Sequence, residues 1–329
     1  MFDKSKIKTL PLSQRKNKTS LDIMINPSSV PENPKKSENL EKIINIAENI
    51  LSARKNSKSV IMFFGAHLIK NGLSLVLREM IENNYITHLA TNGAGSIHDW
   101  EFAYRGKTEE DVRENVQKGQ FGLWEETGKY INLAVIEGAK NDLGYGEAIG
   151  KMIDEDKIGK EIVKHLYKRF SVQEYAYYYK IPFTVHVSVG QDITHIHPLC
   201  DGGAIGKTSM TDFYKFAKSV YNIEGGIYLS VGSGTSSPMV FEKALSIAKN
   251  VGFQENKNIN NFIIVVNDIQ DSGGWDWKSE KEPPKSSPAY YLRFCKTFNR
   301  MKARELCYIN EDNRIFLTNL YHELKKLDK

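Results

Sequence analysis

The sequence predicts a doubly wound α/β fold on a mainly parallel, Rossmann-like sheet. Three observations carry this reading. Short unbroken apolar runs recur along the chain, longer stretches with apolar residues at helical spacing separate them, and glycines and polar residues gather just after the runs. Strands buried on both faces read as continuous apolar runs, and helical crossovers join parallel neighbours. At 329 residues with 40% apolar content, the chain suffices for one large domain or two smaller ones. The regular alternation points to a single domain over residues 38–329.

Residues 1–37 form a basic N-terminal arm with Pro27, Pro31 and Pro34. Polar and proline-containing, it is expected to be disordered or to pack only on a partner. Glu38–Arg54 places Leu40, Ile43, Ile44, Ala47, Ile50 and Leu51 at helical spacing. Ser59–Phe64 is an apolar run closed by Gly65, a buried strand. Ile69–Glu82 is helical, and Thr87–Thr91 is a second strand broken by Asn92-Gly93-Ala94-Gly95. Helical segments are expected at roughly 109–135 and 157–180. Phe183–Val189, after Pro182, is the third strand. Thr211–Tyr221 is helical, Gly226–Val231 the fourth strand, and Pro238–Val251 a helix with proline in its first turn. Phe262–Asn267 is the fifth strand, and residues 314–326 close the chain with a helix.

In such sheets ligands lie beyond the C-terminal strand ends. Those ends read Gly65-Ala66-His67, Asn92-Gly93-Ala94-Gly95, Gly190-Gln191-Asp192, Gly232-Ser233-Gly234-Thr235 and Asn267-Asp268. Glycine lets backbone amides approach a ligand, and a helix N-terminus favours an anion. Gly65, His67, Asn92, Gly93, Gly95, Gly232, Gly234, Thr235, Asn267 and Asp268 are therefore the candidate cofactor-binding residues. Neither a Walker loop nor Gly-x-Gly-x-x-Gly is present. The alternative reading of these glycines is simple turn geometry.

The function classes excluded are broad. A net charge of +5 without a basic, base-reading stripe gives no nucleic-acid partner. No run of eighteen apolar residues predicts a membrane helix. Three unpaired cysteines and no secretory-type apolar stretch fit a reducing, cytoplasmic setting. A small-molecule substrate is the expected partner.

Three histidines, His186, His195 and His197, fall within residues 184–198. In extended chain His195 and His197 share a face. With Asp192 and His98 or His67 they leave three readings open: acid–base groups, a histidine–carboxylate metal site, or structural histidines. No metal is predicted. Catalytic candidates are His98, Asp99, Asp192, His195 and His197; His186, within a strand, reads as structural.

The stretch FGAHLIKNGLSLVLREMIENNYITHLATNGAGSIHDWE, residues 64–101, resembles the nucleotide-binding half of deoxyhypusine synthase. There a Thr-Ser-Asn-like turn precedes a helix, and a Thr-Ala-Gly-Gly turn precedes two acids. SVQEYAYYYKIP (171–182), Val231–Ser237 and VVNDIQDS (265–272) resemble later family segments, so the likeness runs in order over roughly residues 58–300. The resemblance implies a Rossmann-like fold, bound NAD and tetramers built from dimers with active sites at the shared interface, so a homo-oligomer, dimer or tetramer, is expected. It also implies oxidation of a polyamine, with an aminobutyl imine captured on a lysine. Here the sequence departs. Gly232-Ser233-Gly234-Thr235-Ser236-Ser237-Pro238 has no lysine where the family carries one, and imine capture needs an amine. Lys207 and Lys243 are the nearest replacements in sequence. His98 and Asp99 stand where the family has paired acids.

The resulting expectation is an NAD-linked transferase on a small amine or polyamine-like metabolite, without authentic deoxyhypusine synthesis. A metal-dependent hydrolase reusing the same strand ends and a catalytically silent nucleotide-binding protein are the alternatives.

Overall fold

The computed structural model describes residues 2–35, 37–277 and 281–329. Six strands form the central sheet: β1 (Val60–Phe64), β2 (His88–Asn92), β3 (Phe183–His186), β4 (Ile227–Val231), β5 (Ile263–Asp268) and β6 (Glu305–Asn310). All pairings are parallel, in the order β6–β5–β4–β1–β2–β3. The expected doubly wound α/β sheet is therefore present. The chain runs outward from β1 in one direction and from β4 in the other. Their shared C-terminal end is the topological switch point.

The strand pleat explains the apolar runs. Val60, Met62 and Phe64 join one core, while Ile61 and Phe63 join the core on the opposite face. Both faces are buried, so no polar alternation survives in β1. The first face is covered by α1 (Ser37–Lys55), α2 (Ala66–Lys70), α3 (Ser74–Glu82) and α4 (Gly93–Arg105), beyond which lies the short α5 (Val112–Gln117). It is further covered by α6 (Glu125–Lys140), α7 (Tyr145–Glu155) and α8 (Val172–Tyr178). The second face carries α9 (Gly202–Tyr221), α10 (Ser236–Gln254) and α11 (Arg293–Asn299); α12 (Asn313–Leu327) returns to pack on α1.

Several expectations change. Residues 157–162 form a small antiparallel pair instead of continuing a helix, turning at Gly159 with φ +56. Helix α9 begins at Gly202, nine residues before the expected Thr211, because Asp201 caps the amide of Ala204. The third strand stops at His186. Among the described residues no helix is long and apolar enough to cross a membrane.

Parts of the arm pack on the body in this structure, with Leu12 and Arg15 buried, while others such as Phe2 and Val30 stay exposed. Leu10 bridges Trp124, and Thr19–Ser20 pair with Lys107–Thr108. Arg15 makes two 2.7 Å bonds to the Glu101 carboxylate, with both side chains about 1% exposed. Thr108 and Thr127 donate to the same carboxylate. A buried guanidinium and carboxylate persist because the fork geometry and the hydroxyls satisfy both.

Candidate active site at the strand ends

At the switch point the β1 and β4 turns touch. The Gly65 amide donates to the Val231 carbonyl at 3.0 Å, and the Gly232 amide donates to Asn267 at 2.9 Å. A Cβ on Gly65 would lie 2.1 Å from the Gly232 carbonyl oxygen, and Gly232 has φ +57. Glycine is thus required at both positions, by contact at the first and by conformation at the second. Asn267 is buried and spends its amide on the Ile309 and Glu311 carbonyls, at 3.2 and 2.8 Å. It stitches β5 to β6 while its Oδ1 has no partner.

Gly234 and the exposed Thr235 lead into α10. Thr235 makes no side-chain cap to that helix. His67 is exposed on α2. Asp268 is half-buried at the end of β5, and burial raises its pKa above the ordinary carboxylate value.

At the end of β2, Asn92 accepts from the Gly95 amide at 2.9 Å and caps α4. A Cβ on Gly95 would lie 2.1 Å from Thr91 Oγ1, and one on Gly93 would lie 2.2–2.5 Å from the Asp192 carboxyl group. The Asp192 carboxyl therefore sits directly against the first residue of α4. Its Oδ2 is enclosed without a partner, and burial pushes its pKa up to about 6. The favourable end of the helix macrodipole does not cancel that desolvation.

A second buried carboxyl, that of Asp212 on α9, also acts on Tyr145. Its Oδ2 accepts from the Val185 and Gly146 amides at 2.8 and 2.9 Å, while Oδ1 has no partner. Complete burial raises its pKa to about 7. Tyr145, which opens α7, is held protonated first by burial and then by the Asp192 charge. Neither residue was a sequence candidate. Asp212 interrupts the buried stripe Thr208, Asp212, Phe216 on α9, and a charge at that spacing was the available signal.

The predicted catalytic residues do not all converge. Asp99 is 1% exposed, and it accepts from Ser171 Oγ at 2.6 Å, Val172 N at 2.8 Å and Gln173 N at 3.2 Å. It fastens α4 to the start of α8 instead of facing the rim. His98 bonds Thr108 Oγ1 at 2.7 Å beside the Arg15–Glu101 pair, and burial drives its pKa down to about 4.

His195 and His197 lie on a short 3-10 turn and its exit, not on extended chain, so they do not share a face. His195 Nδ1 accepts from the Gly190 amide at 3.2 Å. His197 is 4% exposed and stands 3.5 Å from Glu125 on α6, which also accepts from Thr9 of the arm. Only Asp192 among these five is brought against a cofactor candidate, Gly93. Lys207 pairs with Asp142 and Lys243 with Glu242 on exposed helix surfaces, so neither reaches the switch point.

Among the described residues no three His, Cys, Asp or Glu side chains gather as a metal-ligand set. A groove of about 1140 Å3 runs outside the edge strand β6, lined by Trp275, Trp277, Cys307 and Tyr308; none of the predicted site residues lines it.

No family model matches the sequence, and no curated protein matches it. Solved structures do match in fold. Unliganded AgrE aligns with a TM-score of 0.51 at 17% identity, over 90% of this chain and 34% of AgrE. The fold is shared with AgrE. The chain spans about a third of that protein's length. A LOR/SDH candidate of Methanococcus maripaludis S2 aligns at 0.49 with 16% identity, over 91% of this chain and 74% of that one. A deoxyhypusine synthase candidate of Entamoeba histolytica aligns at 0.48 with 9% identity, over 89% of each chain.

Proposed function

We propose that this protein is an NAD-linked enzyme acting on a small amine or amino-acid-like metabolite. The observation that carries the reading is the switch point itself, where the β1 and β4 turns meet through Gly65 and Gly232. AgrE is also known in a ternary complex with ornithine and NAD+. At 17% identity the likeness between AgrE and this chain is one of fold.

The residues present fit a dinucleotide. The Gly65–Ala66 and Gly232–Thr235 turns would carry its backbone contacts. In the first turn of α10 the Ser237 amide already bonds Ser233 Oγ at 3.2 Å and Pro238 has no amide hydrogen, so phosphate contacts would fall to the amides of residues 233–236 in the turn itself. Asp268 would accept from a ribose hydroxyl. When bound, NAD supplies a hydride acceptor. Asp192, with a carboxyl pKa raised to about 6, would hold a cationic amine or accept its proton. The glycine turn lacks a lysine, and Lys207 and Lys243 lie elsewhere, so transfer through a lysine imine is not proposed. Deoxyhypusine synthesis is therefore not proposed either.

The finer reading is a transferase-type enzyme that assembles as a dimer or tetramer in the cytoplasm. The test is calorimetric titration of the purified chain with NAD. Saturable binding that Gly232→Val removes, with the circular dichroism spectrum preserved, supports the reading. Absence of binding by the folded chain at millimolar NAD overturns it.

A further inference from the structure

A row of four hydrogen-bonding side chains crosses the α9 side of the sheet. Ser219 Oγ lies 2.7 Å from His88 Nδ1, and His88 Nε2 lies 2.9 Å from Thr184 Oγ1. Thr184 Oγ1 in turn lies 3.1 Å from His186 Nε2. His88 opens β2 and is fully buried, whereas His186 closes β3 at the C-terminal rim, in register with Asn92. The His186 ring stacks on Phe63 at 5.5 Å and meets Phe216 edge-on at 5.1 Å, which fixes its plane. Its Nδ1 has no partner among the described residues and is not one of the enclosed polar atoms.

At the other end, Ser219 accepts from Ser59 Oγ through its carbonyl at 2.8 Å. Ser59 and Thr87 line a groove of about 380 Å3 at the N-terminal rim. The backbone of Ser219 thus lies next to that rim, and His186 closes the row at the opposite one.

We propose that Ser219, His88, Thr184 and His186 form a proton relay ending at His186 Nδ1 on the C-terminal rim. It would serve a substrate that gives up a proton from a hydroxyl or amine. The inference goes beyond the dinucleotide reading and stands without it.

The proton count closes. Nδ1 of His186 takes the substrate proton as Nε2–H passes its own to Thr184 Oγ1. The threonine proton moves to His88 Nε2, Nδ1–H of His88 moves to Ser219 Oγ, and the serine proton leaves to water. Each ring accepts on one nitrogen and releases from the other, so no ring stays charged. Burial, the largest effect at both rings, holds their pKa values at about 3; Lys215 and the neighbouring imidazole add to it at His88. Lys215 itself is paired with Glu147. A neutral ring pair is what a shuttle needs.

A relay requires opposite tautomers, one ring Nδ1–H and the other Nε2–H, because Thr184 must accept from one and donate to the other. Long-range proton–nitrogen spectra of the 15N-histidine-labelled chain near pH 7 read this directly. Opposite tautomers are expected, and Ser219→Ala is expected to change the His186 tautomer ratio at least threefold although the two residues do not touch. Adding Thr184→Val should abolish that response, and Thr184→Ser should preserve it. Identical tautomers on both rings, or a Ser219→Ala effect confined to His88, would overturn the relay and leave a structural clamp.

Discussion

Gly65 and Gly232 meet so closely that a Cβ on Gly65 would sit 2.1 Å from the Gly232 carbonyl oxygen. The obstacle is backbone, which cannot swing aside. Gly65→Ala should therefore force β1 and β4 apart and cost about 1–3 kcal/mol in urea unfolding. Gly206→Ala is the control. Gly206 lies inside α9 with nothing within 4 Å of its Cβ position, and alanine there should stabilise by about 0.5–1 kcal/mol.

The Arg15–Glu101 pair gives a larger effect. Removing one partner leaves the other charge buried and uncompensated, at an expected cost of about 3–5 kcal/mol. Arg15→Met should lower the thermal midpoint, and it should open the arm to limited proteolysis ahead of Arg15. An Arg15→Met, Glu101→Leu double variant should recover part of the loss, since no orphan charge remains.

Asp192 predicts a pH dependence with a definite sign. Its carboxyl has a pKa of about 6 folded and near 3.8 unfolded, so the folded state binds the extra proton between those values. Wild-type stability at this site falls as pH rises from about 4 to 6 and then stays level. Asp192→Asn keeps the neutral form at every pH. It should be more stable than wild type by about 1–2 kcal/mol at pH 8, with the difference closing toward pH 4. A constant difference across that range would mean that the carboxyl is not desolvated by its seat on α4.

Asp99 offers a contrast, because its bonds run to the opening of α8. Asp99→Ala leaves the Val172 and Gln173 amides and the Ser171 hydroxyl without their acceptor. A loss of about 2–4 kcal/mol by urea titration is expected from several unmet donors together.

Five of the six strands were legible: β1, β4 and β5 are buried on both faces and read as nearly continuous apolar runs, while the more polar β2 and β3 were marked by the glycine turn after Asn92 and by Pro182 before Phe183. The sixth, Glu305–Asn310, was not: it lies at the sheet edge, and its polar ends at Glu305 and Asn310 face solvent. The glycine turns could be read locally, since a strand that bends tightly into a helix must declare it. The partners of the arm could not. Arg15 finds its acid 86 residues away, and nothing near Arg15 marks it as different from the other basic residues of the arm. The histidine turn failed for a related reason. Spacing places two imidazoles together only if the backbone is extended, and Ile193–Ile196 curls.

The arm also sets an order of events during synthesis. Leu10, Arg15 and Thr19 leave the ribosome before the body, and their docking surfaces at Trp124, Glu101 and Thr108 are made about a hundred residues later. Contacts so distant in sequence form late because the intervening loop must first be closed. The arm thus waits for the body and then closes over it, as a clasp is fastened last.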